Sequence, residues 1–420
     1  MAHGPAAPRH VVVVGAGIAG LSTAWFLQDH GVEVTVLERS AVAAGASWGN
    51  AGWITPGLAI PLAEPSVLRH GLTALTDPAA PLHIPASPDP GLWSFLLRFA
   101  VRCTMPTWRR TMAALVPVNR QALAAYDVLD ASLPEDVRSR ARPIMAAFTE
   151  PEHAEGLLHE FELVRAAGQQ LDAHDIDAAA LHALAPTLSA RVRRAVRIDG
   201  QRTVDPGRYV AALARVVRDR GGDVRVGAEV RRLRHGPGGI AVDVLGGTPV
   251  CADAVVLASG AWLPELARGY GVRVPLRAGR GYSFALDQPE GERVEVPVYF
   301  PHQRVVASPL GDRLRLGGTM EFRPPDAPLQ PARIDAIVAA ARPLFQGLDL
   351  DRRREEWVGS RPVTVDGLPL VGPVRAPGVW VHGGHGMWGM CHGPATARLL
   401  ADRIVSGVAA PELAAFDPLR

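Results

Sequence analysis

The sequence predicts an α/β fold in which a discontinuous Rossmann-like nucleotide-binding domain is interrupted by segments that form an α+β domain on a mixed or antiparallel sheet. Three features lead to this prediction. The first forty residues have the order strand, glycine-rich turn, helix, strand, which is typical of a βαβ unit. Between about 270 and 322, apolar and polar residues alternate as in antiparallel strands. The last sixty residues return to a strand, a glycine-rich loop and a helix.

The first βαβ unit is the most clearly patterned part of the chain. Val11–Val14 is an apolar, β-branched run that stops at the turn Gly15–Gly20. A helical pattern then continues to about His30, Gly31 ends it, and Val34–Glu38 forms a second buried strand. Further helices are predicted over about 91–130, 151–185, 206–221 and 394–405, and further strands over 224–226, 240–244, 254–258, 281–286, 297–300, 304–308, 313–317 and 379–382.

Grouping these elements divides the chain into two domains. The nucleotide-binding domain takes residues 1–88, 175–268 and 356–420, and the second domain takes residues 89–174 and 269–355. The length of 420 residues and a hydrophobic content of 48% allow both domains a large core.

Charge and composition exclude several classes of protein. The 44 basic and 42 acidic residues nearly balance, so we expect no nucleic-acid partner. All the basic residues are arginine. The lack of lysine excludes a lysine Schiff base, a pyridoxal-phosphate lysine and the lysine of a phosphate-binding P-loop.

The cysteines point to a reducing compartment. Cys103, Cys251 and Cys391 lie far apart and form no C-x-x-C pair, so we expect no disulfide framework and no metal site. Residues Met1–His10 lack the basic-then-apolar order of a signal peptide. The uncharged run Val11–Leu27 is short for a membrane span and contains three glycines. We therefore expect a cytoplasmic protein.

The glycine turn predicts a dinucleotide site. Gly15 permits the tight turn, Gly17 lets the backbone approach a pyrophosphate, and Gly20 lets the helix pack against the strand. The helix N-terminus offers N–H groups and a partial positive charge to the phosphates, so no lysine is needed. Glu38 is placed to accept hydrogen bonds from ribose hydroxyls and to repel a 2′-phosphate, which disfavours NADP. NAD and FAD both remain open at this point.

Features elsewhere in the chain favour FAD. A C-x4-C pair is absent, which argues against the disulfide reductases, and no late Gly-Asp-Ala segment indicates a flavin hydroxylase. The chain has a second glycine-rich segment, Gly383–Gly389, near its C-terminus. A simple NAD dehydrogenase would not need such a segment, so its presence favours FAD.

With these features, most of the chain resembles the FAD-dependent amino-acid oxidase family that contains D-amino-acid dehydrogenase, glycine oxidase and sarcosine oxidase. The D-amino-acid dehydrogenase branch is the most similar. The stretches that carry the resemblance are Val11–Glu38, Ala44–Gly57, Val255–Trp262, Gly317–Glu321, Trp357–Gly372 and Gly384–Gly389.

The resemblance implies FAD as cofactor, bound non-covalently, because no cysteine stands in Val363–Leu370, where sarcosine oxidases carry their flavin linkage. Backbone N–H groups of the loop at 386–389 are expected to face the flavin N1 and C2 carbonyl, where reduction places negative charge. The cofactor-binding residues that we predict are Gly15, Gly17, Ile18, Ala19, Gly20, Glu38, Arg39, Ser47, Asn50, Ala51, Gly52, Trp53, Val230, Ser259, Gly260, Trp262, Arg361, Gly386, Met387, Trp388, Gly389 and Met390.

The resemblance also implies a substrate side. Arg361 matches the arginine that clamps the substrate carboxylate, and a planar guanidinium suits that task because it forms two parallel bonds. Tyr282, Tyr299 and His302 are weaker candidates for substrate contact, with simple packing of the sheet as the alternative for the tyrosines. The unusual pair Cys391-His392 is interpreted as inert packing at a helix start.

The expected reaction is oxidation of the C–N bond of an amino acid, preferably a D-amino acid. Hydride passes from Cα to flavin N5, and water hydrolyses the imine to a 2-oxo acid and ammonia. Electrons then pass to oxygen or to a quinone, and a quinone would bring peripheral contact with the inner membrane face. The alternatives are a secondary-amine or imino-acid oxidoreductase acting on a hydroxyproline-, proline- or sarcosine-type substrate, an NAD(P)H-dependent flavin hydroxylase, and a non-catalytic flavoprotein.

Overall fold

The structure, a computed structural model, describes residues 7–69 and 71–420. The first six positions of the segment in which we expect no signal peptide lie outside the described residues. The helices are α1 Ile18–Asp29, α2 Pro65–Arg69, α3 Gly71–Thr76, α4 Pro90–Ala100, α5 Met105–Asp130, α6 Ala154–Ala166, α7 Ala178–Leu184, α8 Pro206–Asp219, α9 Leu263–Ala267, α10 Pro331–Ala341 and α11 Gly389–Ser406.

The strands are β1 His10–Val14, β2 Glu33–Leu37, β3 Trp53–Ile54, β4 Leu82–His83, β5 Arg140–Ala141, β6 Ile144–Phe148, β7 Ala173–Ile176, β8 Arg194–Ile198, β9 Arg202–Thr203, β10 Asp223–Arg225, β11 Val230–Gly236, β12 Gly239–Val244, β13 Val250–Ala252, β14 Ala254–Leu257, β15 Leu276–Asp287, β16 Val298–Phe300, β17 Val305–Leu310, β18 Arg313–Phe322, β19 Arg354–Thr364, β20 Leu370–Pro373 and β21 Val379–Gly383.

The nucleotide-binding part is built on a six-stranded sheet with the order β10-β2-β1-β14-β21-β20. Its strands are parallel except for β20, which pairs antiparallel with β21. Val11 and Val13 belong to the core that α1, α8 and α11 form on one face. Val12 and Val14 belong to the core on the other face, against the small sheet β11-β12-β13. Strands buried on both faces explain the continuous apolar run in the sequence.

The second part is a nine-stranded sheet with the order β19-β15-β18-β17-β16-β6-β8-β7, to which β4 adds alongside β18. Antiparallel pairs dominate, with parallel pairing only between β16 and β6 and between β18 and β4. The α/β fold class and the mixed substrate-side sheet are therefore confirmed.

The pairing of the strands suggests a different division into domains from the one that the sequence predicts. Strands β4, β8 and most of β19 fall inside segments that the sequence assigned to the nucleotide-binding domain, yet they pair within the nine-stranded sheet. Strand β7 straddles a predicted boundary and also pairs there. We propose that all four belong to the second domain, because hydrogen-bonded strands share one core.

Three helical predictions need correction. The segment 151–185 is not one helix, because the strand β7 separates α6 from α7. The segment 91–130 is two helices, because the chain leaves helical geometry between α4 and α5, where Thr104 accepts a hydrogen bond from the Thr107 N–H as an N-cap. The C-terminal helix α11 begins at Gly389, whereas the sequence placed its start near Pro394 as the usual first-turn proline. Pro394 instead lies inside α11.

The turn before α1 depends on two glycines. Gly15 has φ +113°, and a Cβ there would lie 2.5 Å from the Ala258 carbonyl oxygen. A Cβ on Gly20 would lie 2.0 Å from the Gly15 carbonyl oxygen. Side chains at these positions would therefore push the helix away from β1 and β14. None of the helices in the described part of the chain is long and apolar enough to cross a membrane.

We expect Gly20→Ala to lower the free energy of unfolding by about 1–3 kcal/mol, because the added methyl group meets backbone that cannot rotate away. Gly156→Ala on α6 is the matched control, since nothing lies within 4 Å of the Cβ it would gain. That control should raise the free energy of unfolding by about 0.5–1 kcal/mol. Urea unfolding followed by circular dichroism measures both. Equal values for the two variants would contradict this account of the turn.

Candidate active site

A long cavity runs from the β1–α1 turn to the N-terminal end of α11. We call it the nucleotide cavity, and Gly17, Glu38, Ser259, Arg361 and Gly386 are among its lining residues. All the predicted cofactor residues line it except five. Gly20 and Gly52 lie in backbone packing, where a Cβ on Gly52 would stand 2.0 Å from the Val204 carbonyl oxygen. The remaining three, Ala51, Trp53 and Trp388, line a second cavity.

The loop after β2 fixes the carboxylate of Glu38. One oxygen accepts the Ala16 N–H at 2.9 Å, and the other accepts the Ser40 N–H at 2.9 Å. The neighbouring Arg39 lies over the Trp262 ring, with its guanidinium carbon 3.8 Å from the ring centroid. Asp326 joins this pair by accepting from both side chains, at 2.6 and 2.9 Å. Glu38, Arg39 and Trp262 line one wall of the nucleotide cavity, and Asp326 holds the last two in place.

The residues present fit an FAD molecule. The hydroxyl oxygen of Ser259 is buried and has no hydrogen-bond partner among the described residues, although it belongs to a cavity wall. At the N-terminus of α1 the N-cap Gly17 has no side chain to accept a hydrogen bond, and the Ile18 N–H donates to the Ser47 hydroxyl at 3.2 Å. A diphosphate would supply acceptors for both the hydroxyl and the first N–H groups of the helix.

The second cavity lies between the nine-stranded sheet and the loop at 49–64. We call it the substrate cavity, and it shares Asn50, Arg361 and Met387 with the nucleotide cavity. Its walls are largely apolar, as Leu58, Ile60 and other side chains line it. The two cavities therefore meet at three residues, of which one is charged.

Arg361 is the charged group at this junction. Its guanidinium makes no hydrogen bond and no ion pair with any described residue, and burial lowers its pKa to about 10. It lies directly over Gly281, where a Cβ would stand 2.3 Å from the guanidinium carbon. The pairing of β15 with β19 sets this contact, since Gly279 and Gly281 lie opposite Arg361 and Gly359. Arg361 is half-buried, and a cation without a partner in such a place is a site for an anion.

The predicted tyrosines differ in what their hydroxyl groups do. Tyr282 lines the substrate cavity, but its hydroxyl donates to Glu321 at 2.5 Å, and burial raises its pKa. Glu321 also accepts from Arg280 at 3.4 Å and from Arg323 at 2.9 Å, so it is a structural partner. Tyr299 lines the same cavity, and burial raises its pKa as well.

His302 does not join the site. Its ring is exposed and stacks on the His153 ring, with centroids 4.1 Å apart, and it lines neither cavity. The substrate cavity instead contains Glu64, Glu160 and Arg304, which the sequence did not single out as a group. Burial and the charge of Glu64 raise the pKa of Glu160 to about 7. These residues come from three separate segments, so no spacing in the sequence could reveal them.

A cluster of buried histidines lies behind the glycine-rich loop. His382 and His385 line the nucleotide cavity, and both contact the Thr396 hydroxyl through Nε2, at 2.8 and 3.0 Å. His392 contacts the Asn119 amide oxygen at 2.6 Å. Burial lowers the pKa of His385 to about 4 and that of His392 to about 3. The imidazoles are therefore neutral near pH 7.

The pair Cys391-His392 is packed away from both cavities. The Cys391 thiol is buried, and burial raises its pKa to about 12. The amide nitrogen of Asn119 donates to the Ala59 carbonyl at 3.2 Å, so its oxygen accepts the Nε2–H of His392. This arrangement agrees with the interpretation of the pair as inert, which stays a prediction.

A dinucleotide cavity that opens into a second, apolar cavity at an unpaired arginine defines a flavin-dependent oxidoreductase. Comparison with known proteins gives the family: the model described as DAO, FAD dependent oxidoreductase, matches residues 10–403. The chain belongs to this family. The resemblance predicted from the sequence is confirmed.

The relatives cover nearly the whole chain. A D-amino acid dehydrogenase of Cereibacter sphaeroides is 32% identical over 413 residues, covering 97% of this chain and 94% of that protein. One of Methylobacterium radiotolerans is 31% identical, covering 97% of this chain and 98% of that protein. The structure of glycine oxidase from Geobacillus kaustophilus matches with a TM-score of 0.71 at 22% identity, covering 98% of each chain, which shows the shared fold.

The buried histidines predict acid sensitivity. A histidine in the unfolded chain has a pKa of about 6.5, whereas burial lowers the pKa values of His385 and His392 in the folded protein. Below about pH 6.5 the unfolded chain therefore binds more protons at these two positions than the folded chain does. The free energy of unfolding must therefore decrease as the pH falls from about 6.5 toward about 4. Each such group contributes a slope of up to about 1.4 kcal/mol per pH unit.

His392→Gln tests this, because glutamine keeps a donor for Asn119 and removes one titrating group. We expect a shallower acid slope than in the wild type when urea unfolding is measured between about pH 5 and about pH 7. The raised pKa of Glu160 has the opposite effect on the free energy of unfolding in this pH range, and it acts in both proteins. The quantity to compare is therefore the difference between the acid slopes of the wild type and of His392→Gln. Identical slopes would show that His392 is not a buried neutral base.

Proposed function

We propose that this enzyme oxidises the C–N bond of an amino acid, with a D-amino acid as the substrate. The observation that carries the proposal is the unpaired guanidinium of Arg361 at the junction of the two cavities. An α-amino acid brings a carboxylate, which is the anion that a planar guanidinium binds best. The names of the similar dehydrogenases support the D configuration.

The residues of the chain supply binding and orientation. Arg361 holds the substrate carboxylate, and the apolar walls around Leu58 and Ile60 exclude water from the amine, which favours its neutral form. Tyr299 lies where its hydroxyl can contact the bound substrate, whereas the hydroxyl of Tyr282 is committed to Glu321. FAD, when bound, takes up the two electrons removed from the substrate. No strong base is required of the protein, and water hydrolyses the product imine to a 2-oxo acid and ammonia.

FAD is held without a covalent bond in this proposal. Glu38 would accept hydrogen bonds from the ribose hydroxyls, and the first turn of α1 and Ser259 would donate to the diphosphate. The loop Gly386–Gly389 and the N-terminal end of α11 would offer backbone N–H groups to the flavin ring. The electron acceptor is oxygen or a quinone. Admitting oxygen after anaerobic reduction of the flavin distinguishes these two acceptors.

Anaerobic titration of the purified flavoprotein tests the reaction. Loss of the flavin absorbance on addition of D-amino acids, but not L-amino acids, supports the proposal. Loss with sarcosine or prolines alone would indicate a secondary-amine oxidoreductase, and loss with NADH or NADPH without any amine would indicate a hydroxylase. No loss with any of them would indicate a non-catalytic flavoprotein. Admission of oxygen afterwards distinguishes an oxidase from a quinone-dependent dehydrogenase.

Arg361→Ala should lower kcat/KM for the amino acid by roughly 2–4 kcal/mol, which is about 30- to 1000-fold, because the carboxylate loses a charged hydrogen-bonding partner. Gly281→Ala should lower it as well, since the new methyl group occupies the place of the guanidinium. Arg352→Ala is the control, because this arginine is exposed and lines neither cavity. Reduction by dithionite should be the same in all variants. An unchanged half-saturation in Arg361→Ala would remove the residue from the site.

The charged end of the substrate cavity should influence side-chain preference. Glu160 makes no hydrogen bond or ion pair with a described residue, although Arg304 lies near enough to influence its pKa. We expect Glu160→Gln to reduce the preference for lysine over norleucine of the same configuration by about fivefold in kcat/KM, because a cation loses its carboxylate. Glu162→Gln, exposed on the same helix, is the control. An unchanged ratio would place the side chain elsewhere.

A further inference from the structure

A loop of the nine-stranded sheet reaches the wall of the nucleotide cavity. Residues 323–330 form this loop, which connects β18 to α10. Its Asp326 carboxylate accepts a hydrogen bond from the Arg39 guanidinium at 2.6 Å and another from the Trp262 indole N–H at 2.9 Å. Arg39 follows β2 and Trp262 follows β14, which are both strands of the six-stranded sheet. Asp326 therefore connects the two sheets beside the cavity.

The sequence of the loop restricts its conformation. Three of the five residues in 324–328 are proline, and each proline ring fixes φ at about −65°. The Ala327 N–H donates to the Pro324 carbonyl at 3.1 Å, which closes a turn that contains Asp326. A loop with few accessible backbone conformations loses little entropy when its carboxylate is held in one place. The loop therefore presents Asp326 to its two donors in advance.

Two side chains of the nine-stranded sheet hold the same loop. The buried Arg280 guanidinium on β15 donates to the carbonyl groups of Ala327 and Pro328, the latter at 3.2 Å. The Ser360 hydroxyl on β19 donates to the Pro325 carbonyl at 2.9 Å. Ser360 also lines the nucleotide cavity. The position of the loop is thus set by β15 and β19, the strands whose pairing also places the arginine at the junction of the two cavities.

The Arg39 side chain depends on Asp326 for a fixed position. Arg39 is exposed, and within residues 7–69 and 71–420 Asp326 is the one carboxylate with which it forms an ion pair. An arginine side chain loses up to about 2 kcal/mol of rotamer entropy when it is held in one conformation. The ion pair offsets this cost before a ligand arrives, and the guanidinium carbon then lies 3.8 Å from the centroid of the Trp262 ring.

The stacked pair lies where an adenine dinucleotide would be bound in the placement of FAD proposed above. Arg39 follows Glu38, which would accept from the ribose hydroxyls, and Trp262 comes shortly after Ser259, which would donate to the diphosphate. Both members of the pair line the nucleotide cavity. A guanidinium fixed in this wall favours the anionic cofactor, and its side chain has little entropy left to lose when the cofactor binds.

We propose that Asp326 is a positioning residue for FAD: it holds Arg39 against Trp262 in the arrangement that the cofactor contacts, and it thereby slows FAD release. Asp326 does not line the nucleotide cavity, so it acts through these two side chains and not by touching the cofactor. Because the loop belongs to the nine-stranded sheet, the substrate side of the protein contributes to retention of the cofactor. This inference rests on the proposed placement of FAD and not on which amine is oxidised.

Release of FAD from the purified holoenzyme tests the proposal. The holoenzyme is diluted, and the rise in fluorescence as FAD leaves the protein gives the rate of release. Asp326→Asn keeps one acceptor oxygen for Trp262 but removes the charge that holds Arg39. We expect release to be about threefold to fivefold faster, a modest change because the carboxylate is largely exposed. The control is Asp351→Asn, since this exposed carboxylate pairs with Arg342 at 2.7 Å and lines neither cavity.

A double-mutant cycle separates positioning of the guanidinium from a general loosening of the loop. Arg39→Gln should also speed FAD release, and adding Asp326→Asn to it should change the rate by less than about twofold, because the partner is already gone. Asp326→Glu keeps the charge on a longer side chain, so it should release FAD more slowly than Asp326→Asn does. This rescue keeps the test decisive if the asparagine variant folds poorly.

The proposal is overturned if Asp326→Asn releases FAD at the wild-type rate, or more slowly because the carboxylate competes with the FAD phosphates for Arg39. It is also overturned if Asp326→Asn speeds release equally with and without Arg39→Gln, or if Asp326→Glu brings no rescue. None of these measurements requires an amine substrate. Faster release from Asp326→Asn in a protein whose flavin no amino acid reduces would support this proposal and contradict the proposed reaction.

Discussion

The pairing of β15 with β19 is the constraint on which the site depends. Strand β19 carries Arg361, and its antiparallel register with β15 places Gly281 beneath the guanidinium. Two residues further along, Val363 pairs with Arg277 of β15 and also with His385 of the glycine-rich loop, so the same strand connects the nine-stranded sheet to the nucleotide cavity. A shift of one residue in this register would turn Arg361 to the opposite face of the sheet. The substrate cavity and the nucleotide cavity would then no longer share a charged residue.

The site leaves polar groups unsatisfied at the places where ligands are expected. Arg361 lacks an anion and Ser259 lacks a hydrogen-bond partner, whereas the fully buried guanidinium of Arg280 contacts the carboxylate of Glu321 and two backbone carbonyl groups. Burial of an unpaired charge costs stability, so the folded protein gains when a carboxylate arrives. The contrast between these two arginines separates a binding group from a structural one on physical grounds.

The sequence predicted local features well and non-local ones poorly. The β1–α1 turn is a short contiguous pattern whose glycines cannot be replaced without a backbone clash, so its fold was predictable from the sequence, and the cofactor role assigned to it stays a prediction. The role that we propose for Arg361 came from the family resemblance, because nothing in the sequence around it distinguishes it from the other arginines among the 44 basic residues. His302 was placed near the site from its position after a strand, but the chain turns there and stacks it on His153. Glu160 and His382 were missed because helices and strands from distant segments bring them to the cavities.

The absence of lysine is consistent with the electrostatics of the substrate side. Burial brings the pKa of Arg361 down to about 10, so the guanidinium stays charged at neutral pH. A lysine side chain has an ordinary pKa of about 10.4, and the same desolvation would lower that pKa toward neutrality, where an ammonium begins to lose its charge. An ammonium would also offer no planar pair of donors to a carboxylate. Arginine at this junction therefore keeps both the charge and the orientation that the substrate needs, across the pH range in which the buried histidines remain neutral.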